Sequence, residues 1–272
     1  MKKTVCLLVM AVTMFWSSGA SGGRNISLPF EEKFDSSNYQ DLLWISSGAT
    51  HSWDSTGGWR GGAARFTPPV GNAEGYSGLG QFTGLSGTQI NVRFLIYHGS
   101  AYIENERLQN KVIIINRGVE QRPMIISRVY DDQTYMTYGA CDGTTCRYEG
   151  GDFWPDGTDR LRIGNPPGRE MEWVCIEFEA NSATGVNNLY VHTQDGVLSG
   201  LYVSKPMGTA GEEWSAVDII GGFFHAGGVA NANNYFKIDE LAISNRYIGP
   251  PQGFLAASRR PAQPKNIYIV EP

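Results

Sequence analysis

The stretch from Glu172 to Gly196, EWVCIEFEANSATGVNNLYVHTQDG, alternates apolar and polar residues on both sides of a polar turn. A helix puts residues three and four apart on one face, whereas a strand sends successive side chains to opposite faces, so a period of two selects a pair of strands. Val174, Ile176 and Phe178 fall on one side, and Leu189 and Val191 continue that apolar set after the turn. Trp173, Cys175, Glu177 and Glu179 fall on the other side, with Tyr190, His192 and Gln194. The first face is a core face. The second is an aromatic, carboxylate and imidazole surface of the kind that can meet a ligand.

The same alternation recurs along the chain. In QINVRFLIYH, Gln89 to His98, Ile90, Val92, Phe94 and Ile96 form the core set, which leaves Arg93 and Tyr97 on the opposite face, where they can line a groove. Ser27 to Asp35 reads as an opening strand, and Ala63 to Thr67 as a strand stopped by Pro68 and Pro69. Lys111–Arg117, Met124–Tyr130, Gln133–Gly139, Val197–Ser204, Ala216–His225 and the YFKIDELAIS run from Tyr235 supply further strands, with Gly221-Gly222 marking a bulge or a close backbone approach. Tyr102 to Lys111 is the best candidate for a short helix. About twelve strands with scarcely any helix predict two packed antiparallel sheets, an all-β sandwich of the jelly-roll kind.

At 272 residues the chain is long enough to bury one large core, so one domain is expected over residues 21–251. The first twenty residues read as a signal peptide: Lys2 and Lys3, an apolar run from Val5 to Trp16, then Ser18-Gly19-Ala20. The mature protein is therefore expected to be secreted or periplasmic, without membrane insertion, because no later run reaches the ~20 apolar residues of a membrane helix. Loss of the two leader lysines takes the formal charge from −5 to about −7. With no basic cluster against that balance, nucleic acid is not an expected partner. From Gln252 onward the Pro, Ala and Arg content reads as a tail, although KNIYIVEP can add an edge strand.

Cys6 leaves with the leader. Cys141 and Cys146, separated by a short DGTT loop, are a disulfide candidate in an exported chain, and Cys175 is then a strand thiol. Asp142, Asp152, Asp156 and Asp159 lie in a loop-rich segment that can hold a structural calcium ion, but their spacing is not that of an EF-hand and turn chemistry accounts for them equally. No cofactor is expected. Asn25-Ile26-Ser27 fits a glycosylation sequon, and Trp53, Trp59 and Arg60 either line a sugar site or pack over a sheet edge.

Three stretches, GGWRGGAARFTPP, EWVCIEFEAN with NNLYVHTQDG, and YFKIDELAISNRYIGPP, resemble secreted bacterial members of the concanavalin A-like lectin/glucanase superfamily over roughly residues 28 to 251. The resemblance implies a concave sheet on which an extended polysaccharide lies. Arg93, Tyr97, Trp173, Glu177, Tyr190 and His192 are the residues placed on that surface by alternation, where rings can stack on sugars and polar groups can bond hydroxyls or carboxylates.

Three functions are open on this reading. The first is a lectin-like polysaccharide-binding protein of unknown oligomeric state. The second is a polysaccharide lyase or glycoside hydrolase. For hydrolysis, Glu177 and Glu179 are two apart on one strand face, yet EWVCIEFEA lacks the Glu-x-Asp-x-Glu pattern of the superfamily's laminarinase-like enzymes. For a lyase, Arg93 can neutralise a uronate while Tyr190 or His192 takes the α-proton. QIN and YFK faintly resemble alginate-lyase motifs, with the expected His replaced and the arginine-rich strand motif missing. The catalytic set, if there is one, is Tyr190, His192 and Glu177. The third function is a structural or adhesion surface protein.

Overall fold

The computed structural model describes residues 24–45, 49–67, 75–99, 109–116, 122–130, 133–141, 146–147, 161–162, 172–206, 213–225 and 234–255. In chain order the strands are β1 (Arg24–Asn25), β2 (Phe30–Glu32), β3 (Leu43–Ile45), β4 (Thr50–Asp54), β5 (Ala63–Thr67), β6 (Gly75–Thr83), β7 (Gln89–His98), β8 (Gln109–Asn116) and β9 (Arg122–Tyr130). They continue as β10 (Gln133–Cys141), β11 (Cys146–Arg147), β12 (Leu161–Arg162), β13 (Val174–Asn181), β14 (Val186–Thr193), β15 (Ser199–Pro206), β16 (Ala216–His225) and β17 (Phe236–Ser244). A 3-10 turn, Ser37–Leu42, is capped by the Ser36 hydroxyl.

Among the described residues these strands form two sheets. One runs β1-β6-β16-β8-β9-β10-β11, with β12 on β10 and β3 on β6; the other runs β15-β14-β13-β7-β17-β5-β4, with β2 on β17. Apart from β1 on β6, every described pairing is antiparallel. An apolar cluster lies between the sheets. Phe94, Ile96, Ile176, Phe178 and Val191 from one meet Leu79, Phe82, Ile113, Ile115 and Val217 from the other. Trp214, almost fully buried, closes one end by donating its indole N–H to the carbonyls of Thr88 (3.0 Å) and Ala180 (2.9 Å). The architecture is an antiparallel β-sandwich of the jelly-roll class.

β5, β7 and β16 keep the bounds read from alternation, and the register of β16 against β8 slips between Ile220 and Phe223, where Gly221-Gly222 stand. Three segments differ. The opening strand shrinks to Phe30–Glu32 because Phe34 takes a left-handed backbone (φ 54°) and its amide is caught by the Glu32 carboxylate at 2.9 Å. Gln109 to Lys111, the end of the expected helix, are strand residues paired with both β9 and β16, and the rest of that helix lies outside the described residues. Residues 252–255, expected in the tail, lie against the sheet, with Phe254 only 2% exposed.

β17 carries a bulge that single-period reading passes over. Its core residues are Phe236, Ile238, Leu241 and Ile243, a phase change that needs one extra residue. Glu240, with φ 50°, is that residue, and the pairing with β7 slips between Asp239 and Ala242.

Candidate functional site

The outer face of the β13–β7–β17 sheet carries every residue that alternation had assigned to a ligand surface. Register sets them in rows across the strands: Tyr190, Glu177 and Arg93 share one row, and His192, Cys175, Leu95 and Asp239 the next. Tyr97, Lys237 and Arg65 form a third row, and Trp173 packs on Tyr97 with ring centroids 5.4 Å apart. The middle of this face is covered. After β17 the chain turns back and residues 247–255 lie over the sheet as a strap.

Glu177 anchors the strap. Its side chain is fully buried, with Oε1 accepting from the Ile248 amide and the Asn91 side chain and Oε2 from the Gly249 amide, each at 2.8 Å. Burial raises its carboxyl above the ordinary carboxylate range, while those donors and the nearby Arg93 charge pull the other way. Arg93, 6% exposed, donates to the Gly249 carbonyl at 3.4 Å and lies 3.9 Å from Glu240. Phe254 completes the cover by packing in an apolar cluster with Ala63, Leu95, Trp173 and Cys175, flanked by Trp59 and Tyr97. Cys175 is buried there and its thiol is pushed up by burial, so it has the character of a small apolar side chain rather than a nucleophile. Arg93 and Glu177 thus lie beneath the strap, out of reach of a ligand on this face.

On one side of the strap stand Tyr190, His192 and Glu179. The Tyr190 hydroxyl donates to Glu179 at 2.9 Å, and the side-chain amides of Asn188 (3.0 Å) and Asn181 (3.3 Å) donate to the same carboxylate. His192 sits between Ser199 Oγ (3.3 Å) and the Tyr247 hydroxyl (3.4 Å), and Tyr247 packs on Tyr190 with centroids 4.7 Å apart. Burial lowers His192 to about 4, which leaves a neutral imidazole. Burial and the neighbouring carboxylates push Tyr190 up. Although nearly half of Tyr247 is exposed, its hydroxyl points inward and is held up at about 12. A tyrosine that serves as a base needs the opposite shift.

On the other side lie Tyr97, Trp173, Lys237, Arg65 and Tyr235. Lys237 is 9% exposed and pairs with Asp54 at 2.7 Å, an ion pair that holds the Asp54 carboxyl below its ordinary range. The ammonium also donates to the Gly57 carbonyl at 3.2 Å and lies 5.1 Å from the Tyr97 ring centroid. Arg65 lies over Tyr235, its guanidinium carbon 3.8 Å from the ring centroid. Trp59 packs on Phe254 at 5.4 Å and carries Arg60 at 4.1 Å, while the Trp53 indole donates to the Phe34 carbonyl at 2.9 Å. Trp59 therefore belongs to the packing of the strap, and Trp53 closes a loop.

Sequence reasoning did not single out Arg65, Tyr235, Lys237 or Tyr247 as site residues. Arg65 was legible: it alternates outward between the core residues Ala64 and Phe66. Tyr247 was not, because its place depends on the chain turning back after Ser244. No group of three His, Cys, Asp or Glu side chains able to hold a metal occurs among the described residues, and Asp142, Asp152, Asp156 and Asp159 lie outside them. No helix among the described residues is long and apolar enough to cross a membrane.

Solved structures to which the chain is similar have varied activities. The chain is similar to an alginate lyase (10% identity, 82% of this chain and 98% of that one, TM-score 0.49). It is also similar to a GH131 beta-glucanase catalytic domain from Podospora anserina (13% identity, 76% and 84%, TM-score 0.47) and to arcelin-5, a lectin-like defense protein from Phaseolus vulgaris (10% identity, 82% and 100%, TM-score 0.44). No family model matches the chain, and no curated protein does. Likeness of this degree assigns neither ligand nor reaction.

Proposed function

We propose that this chain is an exported polysaccharide-binding protein, lectin-like rather than catalytic, which holds a glycan against the row that contains Tyr97. The observation that carries this reading is the engagement of Glu177: both carboxylate oxygens are occupied by strap amides and Asn91, so it is not available as an acid, base or nucleophile. Glu179 is likewise taken by Tyr190, Asn181 and Asn188. What stays within reach of a ligand is aromatic and donor-rich. Partly exposed Tyr97 offers a ring, with polar and cationic groups beside it, a combination suited to sugars, whose C–H faces stack on rings while their hydroxyls accept hydrogen bonds. Export is supported by the leader-like residues 1–20.

The alternative is a lyase in which Tyr190 and His192 move the proton, and the raised tyrosines weigh against it. The test is incubation of the chain from Ser21 onward with acidic and neutral polysaccharides, following retention, reducing ends and ultraviolet absorbance together. Retention of at least one glycan without product is expected. New absorbance from unsaturated uronate would establish a lyase instead, and new reducing ends alone a hydrolase. No retention and no product would favour the structural or adhesion role.

A further inference from the structure

Arg65 occupies a place that the binding of a neutral sugar does not require. It stands directly opposite Lys237 on β17, and the two cations share the row that ends in Tyr97 and Trp173. Their situations differ. Lys237 is committed to Asp54 and the Gly57 carbonyl. Gly57 is required for this arrangement, because a β-carbon there would overlap the Asp54 carboxylate and the Lys237 ammonium. Arg65 makes no ion pair among the described residues and lies against the ring of Tyr235.

Tyr235 is itself fixed. Its carbonyl accepts from the Gly99 amide at 2.9 Å, its ring lies where a β-carbon on residue 99 would be, and its side chain is hydrogen-bonded to Tyr97. A guanidinium held over a fixed ring loses little further freedom when it binds, and contact through its face leaves the N–H edge of such a group for a ligand. That edge matches the two oxygens of a carboxylate or a sulfate. Lys237 is paired with Asp54, and Arg65 stands beside it as a second cation of the row, in a protein whose overall charge is negative.

We infer that Arg65, held over Tyr235 beside Tyr97, is the residue that selects the ligand of this row, and that the ligand is an acidic polysaccharide bearing carboxylate or sulfate groups. The inference rests on the glycan-binding reading and adds the ligand's charge to it. Because the chain as a whole repels polyanions, affinity for an acidic glycan must come from a local contact. Such affinity falls when that one contact is removed.

The experiment is calorimetric titration of the chain from Ser21 onward with three probes: a polyuronate oligomer, the same oligomer after carboxyl reduction, and a sulfated oligosaccharide. Each is run at low and high salt, with Arg65→Gln and Arg65→Lys beside the unaltered chain and thermal melts as a check on folding. An acidic probe is expected to bind about tenfold or more tightly than the carboxyl-reduced one, with the preference shrinking at high salt. Arg65→Gln should abolish that preference, with a cooperative melt showing that the variant still folds, and Arg65→Lys should restore part of it. The polyuronate and sulfated arms identify which anion is read. Equal affinity for acidic and reduced oligomers, or an Arg65→Gln variant that keeps the preference, would overturn the inference and leave glycan binding intact. Failure of all three probes to bind the unaltered chain would overturn both.

Discussion

Truncation of Phe254 to alanine tests whether the strap is a separable layer over a finished sheet. Phe254 is 2% exposed and packs on Leu95, Trp173, Cys175 and Trp59, all outside the main core. A buried Phe→Ala change costs about 3–5 kcal/mol, and the lower end applies here because the strap can settle onto the gap, so about 3 kcal/mol is expected. Two anchors then remain at the other end: the amides of Ile248 and Gly249 on Glu177. If the strap opens independently of the sandwich, the loss falls on that local opening, and about 3 kcal/mol corresponds to roughly a hundredfold faster exchange. Amide hydrogen exchange at Ile248 and Gly249 should therefore accelerate about a hundredfold, while the amides of Ile176 and Phe94, deep between the sheets, keep their rates. Equal acceleration at all four positions would show that strap and sandwich open as one unit and would refute the separable layer. Unchanged exchange at Ile248 would show that Phe254 does not hold the strap.

Four other outcomes follow from the same geometry. Asp54→Ala leaves the nearly buried Lys237 ammonium with only the Gly57 carbonyl and should destabilise the fold by about 2 kcal/mol in denaturant unfolding, whereas Lys237→Met, which removes the charge with the contact, should cost less. His192 is held at about 4 by burial, below its ordinary value, so its contribution is complete above the unfolded value and is lost as pH falls from about 6.5 to about 4; His192→Gln should flatten that acid limb by about 3 kcal/mol. Asp239 carries the opposite sign: burial raises it to about 6, so the native state holds its proton longer and stability falls as pH rises from about 4 to about 6, which Asp239→Asn should remove. Cys141 stands opposite Cys146 in the β10–β11 register, a spacing compatible with a bridge, so alkylation of the denatured exported chain without reductant should label Cys175 alone.

Alternation made the sandwich legible because the central strands of the strap-covered sheet have one face in the core: Ile90 to Ile96 and Val174 to Phe178 declare their inward side without ambiguity. The same rule placed Arg93, Tyr97, Trp173, Glu177, Tyr190 and His192 together on the opposite face. It could not tell which of them a second layer covers. Covering depends on residues 247–255 folding back, and IGPPQGF carries no period from which a partner surface can be read. A clue lay in composition: the outer face holds Leu95, Cys175 and Ala242 among its polar residues, more apolar surface than water favours. The β17 bulge was also present in the sequence, in the shift of apolar phase between Ile238 and Leu241.

The position of β17 bears on how the chain can reach this structure. It lies inside its sheet, between β7 on one side and β5 and β2 on the other, and Phe66 pairs with Phe236 across most of the chain's length. Until residues 236–244 leave the ribosome, β4 and β5 have no strand joining them to β7, and Phe66 and Ala64 face an unfinished core. Pairings of such separation form late, because the loop entropy is spent before the contacts form. A nascent chain of this topology stays open through most of its synthesis, and a fragment ending anywhere before Ser244 contains two partial sheets rather than a smaller version of the whole.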